Sequence, residues 1–126
     1  MKVLFLEDDI ALNDILSEHL QDKGYEVVSC SNGQEALEYL IDDKFDFALL
    51  DINTPLMSGI DVLKTIRNDY KNNTPAIIIT AYQDTKHLKE SFESGVDDYI
   101  KKPFDLEELD QRILRLCRQF SIEQNT

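Results

Sequence analysis

Four short apolar segments of this sequence each lead to a side chain that could take part in chemistry. The first segment leads to Glu7 and Asp8, the second to Asp51, the third to Thr80 and the fourth to Lys102. If the four segments are neighbouring parallel strands, three carboxylates, a hydroxyl and an ammonium group meet outside the carboxyl ends of one sheet. An acidic cluster that faces a single lysine indicates a site for a divalent cation and a phosphoryl group.

The clustered carboxylates would raise one another's pKa in the absence of a counterion. Ligands that are all oxygens favour Mg²⁺, or Mn²⁺ in its place, over Zn²⁺. Asp51 is then a candidate nucleophile that accepts a phosphoryl group as an aspartyl phosphate. Lys102 would neutralise one phosphoryl oxygen, and the Thr80 hydroxyl would donate a hydrogen bond to another. One alternative is that Asp51 caps its own loop. Another is that Glu7, Asp8 and Asp9 only start a helix, which is the interpretation we prefer for Asp9 alone.

Apolar segments with the character of strands alternate along the chain with segments of helical spacing. Strands are predicted at 2–6, 25–30, 45–50, 76–79 and 98–101, and helices at 10–22, 33–41, 60–68, 84–93 and 106–120. The spacing predicts that Ile15, Leu106 and Phe120 lie on buried helix faces. The fourth helix has a thin apolar stripe, with Leu88 and Phe92 as its clear anchors, and we expect it to be the most mobile helix.

This alternation predicts an α/β fold, a doubly wound five-stranded parallel sheet between two layers of helices. The flavodoxin-like strand order 2-1-3-4-5 is the leading choice for such a sheet. In that order the first, third, fourth and fifth strands are contiguous, and these strands end at the candidate site residues. The second strand lies at the edge and ends at Ser29, Cys30 and Ser31, without a charged residue. The topology and the polar residues therefore agree.

The composition is that of an acidic globular protein. The formal net charge of −12 should repel nucleic acid and anionic membranes. No apolar segment approaches the roughly 20 residues of a membrane span, and no signal peptide pattern precedes Glu7, so we expect a cytoplasmic protein. Cys30 and Cys117 are expected to be buried structural thiols. We expect one domain over 1–120, followed by a polar tail or the start of a linker over 121–126.

Four motifs occur in order along the chain: Glu7-Asp8, Asp51-Ile-Asn-Thr-Pro55 with Gly59, Thr80-Ala81, and Asp97-Asp98-Tyr99-Ile-Lys-Lys102-Pro103-Phe104. This set closely resembles the receiver domain of bacterial two-component response regulators, the CheY-like superfamily, over essentially the whole chain. The resemblance implies that a sensor histidine kinase phosphorylates Asp51. It also implies that Asp8, Asp51 and the backbone carbonyl of Asn53 bind Mg²⁺, with Glu7 acting mainly through water.

The resemblance further implies a conformational switch, in which Thr80 moves toward the phosphoryl group and Tyr99 turns into the space that it leaves. Without the resemblance, Tyr99 is better interpreted as an ordinary half-buried aromatic residue of a strand. The resemblance also implies that the peptide bond between Lys102 and Pro103 is cis.

One face of the domain loosely resembles the dimer face of OmpR/PhoB-type regulators, which carry a DNA-binding domain. This face comprises the fourth helix, the fifth strand and the last helix, and its candidate contact residues are Asp97, Asp98, Arg112 and Leu114. The alternative is a charged face that is only solvated. We expect no nucleic acid contact by this domain itself, although a C-terminal DNA-binding domain is possible in the parent protein.

Three other functions remain open from the sequence. A phosphate-independent pseudo-receiver would serve as an interaction module, but the intact acid, threonine and lysine set argues against it. An aspartyl-phosphate hydrolase usually has a second aspartate two residues after the first, where this chain has Asn53. A flavin carrier would need a phosphate-binding loop after the first strand, where the acidic residues would repel phosphate. We therefore expect no enzyme, but a phosphoacceptor that assists its own phosphorylation and dephosphorylation.

Overall fold

The computed structural model describes residues 1–81, 89–90 and 92–122. Its strands are β1 (Lys2–Leu6), β2 (Glu26–Cys30), β3 (Phe47–Asp51), β4 (Ala76–Ala81) and β5 (Asp98–Lys102). Its helices are α1 (Ile10–Asp22), α2 (Gly33–Asp42), α3 (Gly59–Asn68) and a C-terminal helix (Leu106–Gln119). Most of the fourth predicted helix, including Leu88, lies outside the described residues.

The five strands form one parallel sheet in the order β2-β1-β3-β4-β5. The predicted strand order is therefore confirmed. Leu6 at the end of β1 pairs with Cys30 of β2 and with Leu50 of β3, while Asp51 pairs with Ile79 of β4. These registers bring the carboxyl ends of the strands to a common edge of the sheet.

Two apolar cores sandwich the sheet. One core contains Leu4, Leu50 and Ile78 together with residues of α2 and α3. The other contains Phe5 and Ile79 together with residues of α1 and the C-terminal helix. Because both faces of the central strands are covered, these strands are apolar throughout rather than alternating. The doubly wound, three-layered α/β architecture is thus confirmed.

Three residues that were predicted to lie on buried helix faces are instead partly or largely exposed. Ile15 is 57% exposed, Leu106 is 37% exposed and Phe120 is 39% exposed, so the prediction that they are buried was wrong. Ile15 and Leu106 line opposite sides of an open groove between α1 and the segment that follows β5. Helical spacing gives the direction of a side chain, but it does not reveal how far the neighbouring element covers that direction.

Helix ends follow the local sequence closely. The Asp9 side chain accepts a hydrogen bond from the backbone N–H of Leu12 and caps α1, which confirms its interpretation as a helix start. Asp105 caps the C-terminal helix in the same way. Both cysteines are buried. None of the helices among the described residues is long and apolar enough to cross a bilayer.

Candidate functional site

The carboxyl edge of the sheet assembles the predicted acidic cluster. Glu7 and Asp8 directly follow β1, and Asp51 is the last residue of β3, the strand beside it. One carboxylate oxygen from each of these residues lies within 4.8 Å of the other two. No other group of three or more potential metal ligands is found in the described part of the chain. The topology therefore brings together three acids that are up to 44 positions apart in the sequence.

Lys102 completes this cluster from β5, the edge strand of the sheet. It ends β5, and its side chain reaches across to β3 and β1. The ammonium nitrogen Nζ lies 2.7 Å from Oε1 of Glu7 and 3.1 Å from Oδ2 of Asp51. Glu7 and Asp51 are buried, whereas the Lys102 side chain is 29% exposed. The peptide bond from Lys102 to Pro103 is cis, as the resemblance implied.

Burial and mutual repulsion shape the electrostatics of the cluster. Burial and the neighbouring Asp51 carboxylate raise the pKa of Glu7, although Lys102 acts in the opposite direction. Burial would lower the pKa of Lys102, but hydrogen bonds and charge attraction from Glu7 and Asp51 outweigh it and raise that pKa. Lys102 therefore stays charged, and its single positive charge faces three acidic side chains.

The donor set of the cluster fits Mg²⁺. All three side chains offer carboxylate oxygens, which are ligands that this hard cation prefers. Asp8 is exposed while Glu7 and Asp51 are buried, so the cluster is open to solvent on one side. Such an opening suits Mg²⁺, because it usually retains several water ligands. A divalent cation would also balance the excess negative charge of the three acids.

Asn53 lies just beyond the phosphoacceptor candidate, in the loop after β3. Its backbone N–H lies 3.3 Å from Oδ1 of Asp51 and donates a hydrogen bond to it. The Asn53 residue as a whole is exposed. This contact orients the Asp51 carboxylate from the loop side, opposite the contact made by Lys102 with the other oxygen.

Thr80 and Tyr99 occupy neighbouring strands beside the cluster. Thr80 is buried in β4, directly after Ile79, which pairs with Asp51. Tyr99 lies in β5 and is half-buried. Its ring makes an edge-to-face contact with Phe92, with ring centroids 5.6 Å apart, and Arg112 lies over it at 5.7 Å. Tyr99 therefore packs between two elements outside the acidic cluster rather than within it.

Asp97, a candidate contact residue of the dimer face, is engaged inside the chain. Its carboxylate accepts a hydrogen bond from the backbone N–H of Ala76 at 2.8 Å. It also forms an ion pair with Arg67 at 3.4 Å. The Arg67 guanidinium donates further hydrogen bonds to backbone carbonyls of the turn before β4. Asp97 thus ties α3 to the beginnings of β4 and β5.

Asp98 is similarly held by the C-terminal helix. Its carboxylate accepts hydrogen bonds from Arg112 at 3.1 Å and from Arg115 at 2.8 Å. The Asp98 side chain is only 9% exposed, whereas that of Arg115 is 64% exposed. Leu114 is half-buried on the same helix. The predicted charged residues therefore meet within one chain in this structure.

Two residues near the site were missed by the sequence analysis. The side-chain amide of Asn13 in α1 donates a hydrogen bond to the backbone carbonyl of Glu7 at 2.9 Å. Gly33 begins α2 beneath the loop that follows Asp51, and a Cβ atom there would lie 2.0 Å from the carbonyl oxygen of Met57. Neither residue belongs to a charged motif, so only the three-dimensional arrangement reveals its place.

The chain is similar to known proteins over nearly its whole length. A family model described as the response regulator receiver domain matches residues 3–114. The transcriptional regulatory protein CrdR of Helicobacter pylori is 45% identical over 122 residues, which make up 97% of this chain and 57% of that protein. The chain spans about half the length of the curated relatives it matches, for example 50% of CpxR from Escherichia coli.

Solved structures of similar proteins share the fold. The receiver domain of the Francisella response regulator 1452 is 32% identical, has a TM-score of 0.86, and is matched over 94% of this chain and 98% of that chain. The receiver domain of the sensor histidine kinase PA1611 from Pseudomonas aeruginosa is 28% identical, with a TM-score of 0.80 and coverage of 93% and 94%. That protein is described with a magnesium ion coordinated in the active site cleft.

Proposed function

Because the chain belongs to the family of response regulator receiver domains, we propose that it is a phosphorylation-activated switch whose phosphoacceptor is Asp51. The phosphoryl donor is a sensor histidine kinase. The observation that carries this proposal is the position of the Lys102 ammonium, which contacts the carboxylates of both Glu7 and Asp51 at the edge of the sheet. A carboxylate at this edge is thereby placed beside a fixed positive charge.

Three side chains have separate roles in phosphoryl transfer. An oxygen of Asp51 forms the new bond to phosphorus, while the bond from phosphorus to the imidazole nitrogen of the kinase breaks. Lys102 already lies within hydrogen-bond distance of Asp51 and neutralises charge on the transferred group. Thr80 donates its hydroxyl to another phosphoryl oxygen from the adjacent strand. Transfer of this kind depends on positioning and charge neutralisation more than on other chemistry.

Glu7, Asp8, Asp51 and the backbone carbonyl of Asn53 would hold Mg²⁺, or Mn²⁺ in its place. When bound, the cation neutralises developing negative charge on the phosphoryl oxygens. The proposal is supported by the all-oxygen donor set and by the solvent access that the exposed Asp8 provides. In addition, the related receiver domain of PA1611 is described with magnesium in its cleft. Glu7 acts mainly through water because its carboxylate is already engaged by Lys102.

The signal then passes from Thr80 to Tyr99. As Thr80 moves toward the phosphoryl group, Tyr99 turns into the space that it leaves and loses its present contacts with Phe92 and Arg112. Phosphorylation shifts the balance between two arrangements rather than creating a new fold. The readout lies on the face formed by β5, the C-terminal helix and Phe92.

The kinase docks beside the phosphoacceptor, on an apolar groove of about 620 Å³. Leu12 and Ile15 of α1 line one side of this groove, and Phe104 and Leu106 line the other. Lys102 lies at its boundary, which places the groove next to the acidic cluster. An exposed apolar surface of this kind is typical of a protein interaction site.

The output of the domain is transcriptional. The curated relatives include transcriptional regulatory proteins that are about twice as long as this chain, which supports a C-terminal DNA-binding domain after the receiver domain of 1–120 in the parent protein. Phosphorylation promotes a symmetric dimer through Asp97, Asp98, Arg112 and Leu114. Because Asp98 already pairs with Arg112 within the chain, dimer formation exchanges these partners between two copies.

The phosphoacceptor proposal is tested by incubating the chain with Mg²⁺ and acetyl phosphate and recording the intact mass. We expect one added phosphoryl group, which disappears in Asp51→Asn. Asp22→Asn serves as a matched control, because it removes one carboxylate at an exposed position of α1. This variant should gain the group as the wild type does.

Other outcomes would favour other functions. Continuous release of phosphate at the turnover of an enzyme would indicate a hydrolase. An unchanged mass with acetyl phosphate and with phosphorylated histidine kinases would contradict the proposal and favour a phosphate-independent interaction module. An added group that persists in Asp51→Asn would mean that another residue is the acceptor.

A further inference from the structure

We propose that Asn13 is a positioning residue that sets the affinity of the acidic cluster for Mg²⁺. It does so by fixing the backbone at Glu7 and Asp8, where the chain leaves β1, which we call the Glu7–Asp8 corner. The inference rests on the proposed function, because it assumes that the cation binds at this cluster. Asn13 bears no charge, and its side-chain hydrogen bonds go to backbone carbonyls and to Ser17 rather than to the carboxylates. Its effect would pass entirely through the peptide unit that joins the two acidic residues.

The contact geometry places the Asn13 amide on that peptide unit. Its Nδ2 atom donates a hydrogen bond to the carbonyl oxygen of Glu7 at 2.9 Å. The same nitrogen lies 3.5 Å from the carbonyl oxygen of Cys30, at the end of β2. The carbonyl of Glu7 and the nitrogen of Asp8 belong to one planar peptide group. Orienting this carbonyl therefore orients the backbone from which both carboxylates project.

The corner needs such support because the sheet ends just before it. The parallel pairing of β1 with β2 and β3 reaches only Leu6. The backbone N–H of Glu7 still donates to the carbonyl of Cys30 at 3.1 Å, but the Glu7 carbonyl lies past the end of the ladder. Asn13 supplies the donor that the next strand residue would otherwise provide, in keeping with the need of buried carbonyl groups for a partner.

The Asn13 side chain is itself held in place. Its Oδ1 atom accepts a hydrogen bond from the hydroxyl of Ser17, one turn later in α1, at 3.1 Å. Its backbone N–H donates to the carbonyl of Asp9 at 2.8 Å. With the oxygen engaged by Ser17, the NH₂ group faces Glu7. Residues that orient ligands in this way commonly change metal affinity by about 10- to 100-fold when they are replaced.

The test measures Mg²⁺ affinity of the whole chain by isothermal titration calorimetry, together with the Tm of the metal-free protein. Asn13→Leu keeps the branching and the number of side-chain heavy atoms but removes the donor, and we expect its Kd for Mg²⁺ to rise about tenfold. Asn13→Ala, which adds no new bulk, is measured in parallel so that a poorly folded leucine variant does not decide the result. Circular dichroism verifies the fold of each variant.

Asn72→Leu is the matched control. The Asn72 amide also donates to a backbone carbonyl, that of Leu40 at 3.1 Å, but it lies before β4, at the opposite end of the sheet. We expect this variant to lose stability while its Kd for Mg²⁺ stays unchanged.

The outcomes separate this inference from the proposed function. One outcome is that the wild type binds Mg²⁺, that Asp8→Asn abolishes binding, and that both folded Asn13 variants bind as the wild type does. In that case Asn13 is only structural, and this inference fails while the proposed cation site stands. If the wild type itself binds no Mg²⁺, the proposed cation site fails, and the role of Asn13 fails with it.

Discussion

At the scale of single residues, the site depends on one lysine that serves two acids. Lys102 contacts Glu7 at 2.7 Å and Asp51 at 3.1 Å, and both acids are buried. A buried carboxylate that loses its partner keeps the full cost of its desolvation. The sequence predicted this convergence from strand ends, but it could not predict that Glu7 rather than Asp51 has the shorter contact, because that depends on side-chain length and strand twist.

Lys102→Ala should therefore destabilise the metal-free protein. We expect the free energy of unfolding to fall by about 1–3 kcal/mol near neutral pH, which is less than the roughly 3–5 kcal/mol typical of a fully buried ion pair because the lysine is partly exposed. Urea denaturation in the presence of a chelator measures this change. Lys101→Ala, at the exposed neighbouring position, should change stability by less than about 0.5 kcal/mol. Equal effects of the two substitutions would contradict the assigned role.

The raised pKa of Glu7 gives a second prediction at this scale. Its causes are burial and the Asp51 carboxylate. Between the ordinary glutamate pKa of about 4.3 and the raised value, the folded protein binds more protons at this site than the unfolded chain does. The contribution of Glu7 to stability therefore falls as pH rises through this interval.

Glu7→Gln removes that contribution, so the difference in unfolding free energy between variant and wild type should shift in favour of the variant as pH rises. Chelated samples in urea at several pH values measure it. Titratable groups that do not contact Glu7 affect both proteins equally and cancel in the difference. Parallel stability curves for the two proteins would show that the pKa of Glu7 is not raised.

At the scale of secondary-structure elements, the loop after Asp51 contacts the beginning of α2. The backbone N–H of Gly33 donates to the carbonyl of Pro55 at 3.1 Å. A Cβ atom on Gly33 would lie 2.0 Å from the carbonyl oxygen of Met57, which is too close for any real contact. The sequence predicted the helix from its spacing, yet it gave no sign that the missing side chain of Gly33 makes room for the loop.

Gly33→Ala should force this loop away from α2. The clashing atoms are the carbonyl carbon, carbonyl oxygen and Cβ of Met57, which move only with the backbone. We therefore expect a loss of about 1–3 kcal/mol in unfolding free energy, measured by chemical denaturation. Gln34→Ala, at the next and exposed position, is the control and should have little effect. An unchanged stability of the Gly33 variant would mean that the loop yields freely.

The elements also show where sequence patterns fail to predict the burial of a side chain. Central strands such as β3 are buried on both faces, so their apolar runs predicted them well. Ile15 and Leu106 follow helical spacing equally well, yet they border an open groove. Periodicity reports the direction of a side chain, whereas its burial depends on the neighbour across the gap. In the proposed function, these uncovered apolar residues form the surface on which the kinase docks.

At the scale of the whole molecule, the sequence predicted the strand order and the acidic cluster because one rule links them. Residues at the carboxyl ends of adjacent parallel strands meet at one edge. No comparable rule predicts the partners of Asp97 and Asp98. These acids pair with Arg67, Arg112 and Arg115 inside the chain, and charge patterns alone do not distinguish such pairs from contacts between two copies.

The net charge of −12 makes the whole molecule responsive to cations, and the acidic cluster should make it selectively responsive to Mg²⁺. At a Mg²⁺ concentration of about 100 times Kd, a ligand that binds only the folded state adds about 2.7 kcal/mol of stability. We expect a corresponding rise in Tm by calorimetry, compared with NaCl of equal ionic strength. Asp8→Asn should lose most of the rise, and an equal response in NaCl would indicate screening alone.

The most direct test of the account identifies the residue that carries the phosphoryl group. The chain is phosphorylated with acetyl phosphate and Mg²⁺, the acyl phosphate is reduced with borohydride, and the peptides are analysed by mass spectrometry. Reduction converts a phosphorylated aspartate to homoserine. We predict homoserine at position 51 only, and none when Mg²⁺ is withheld by a chelator. Homoserine at Asp8, or at any other aspartate in place of Asp51, would contradict the proposal that Asp51 is the phosphoacceptor.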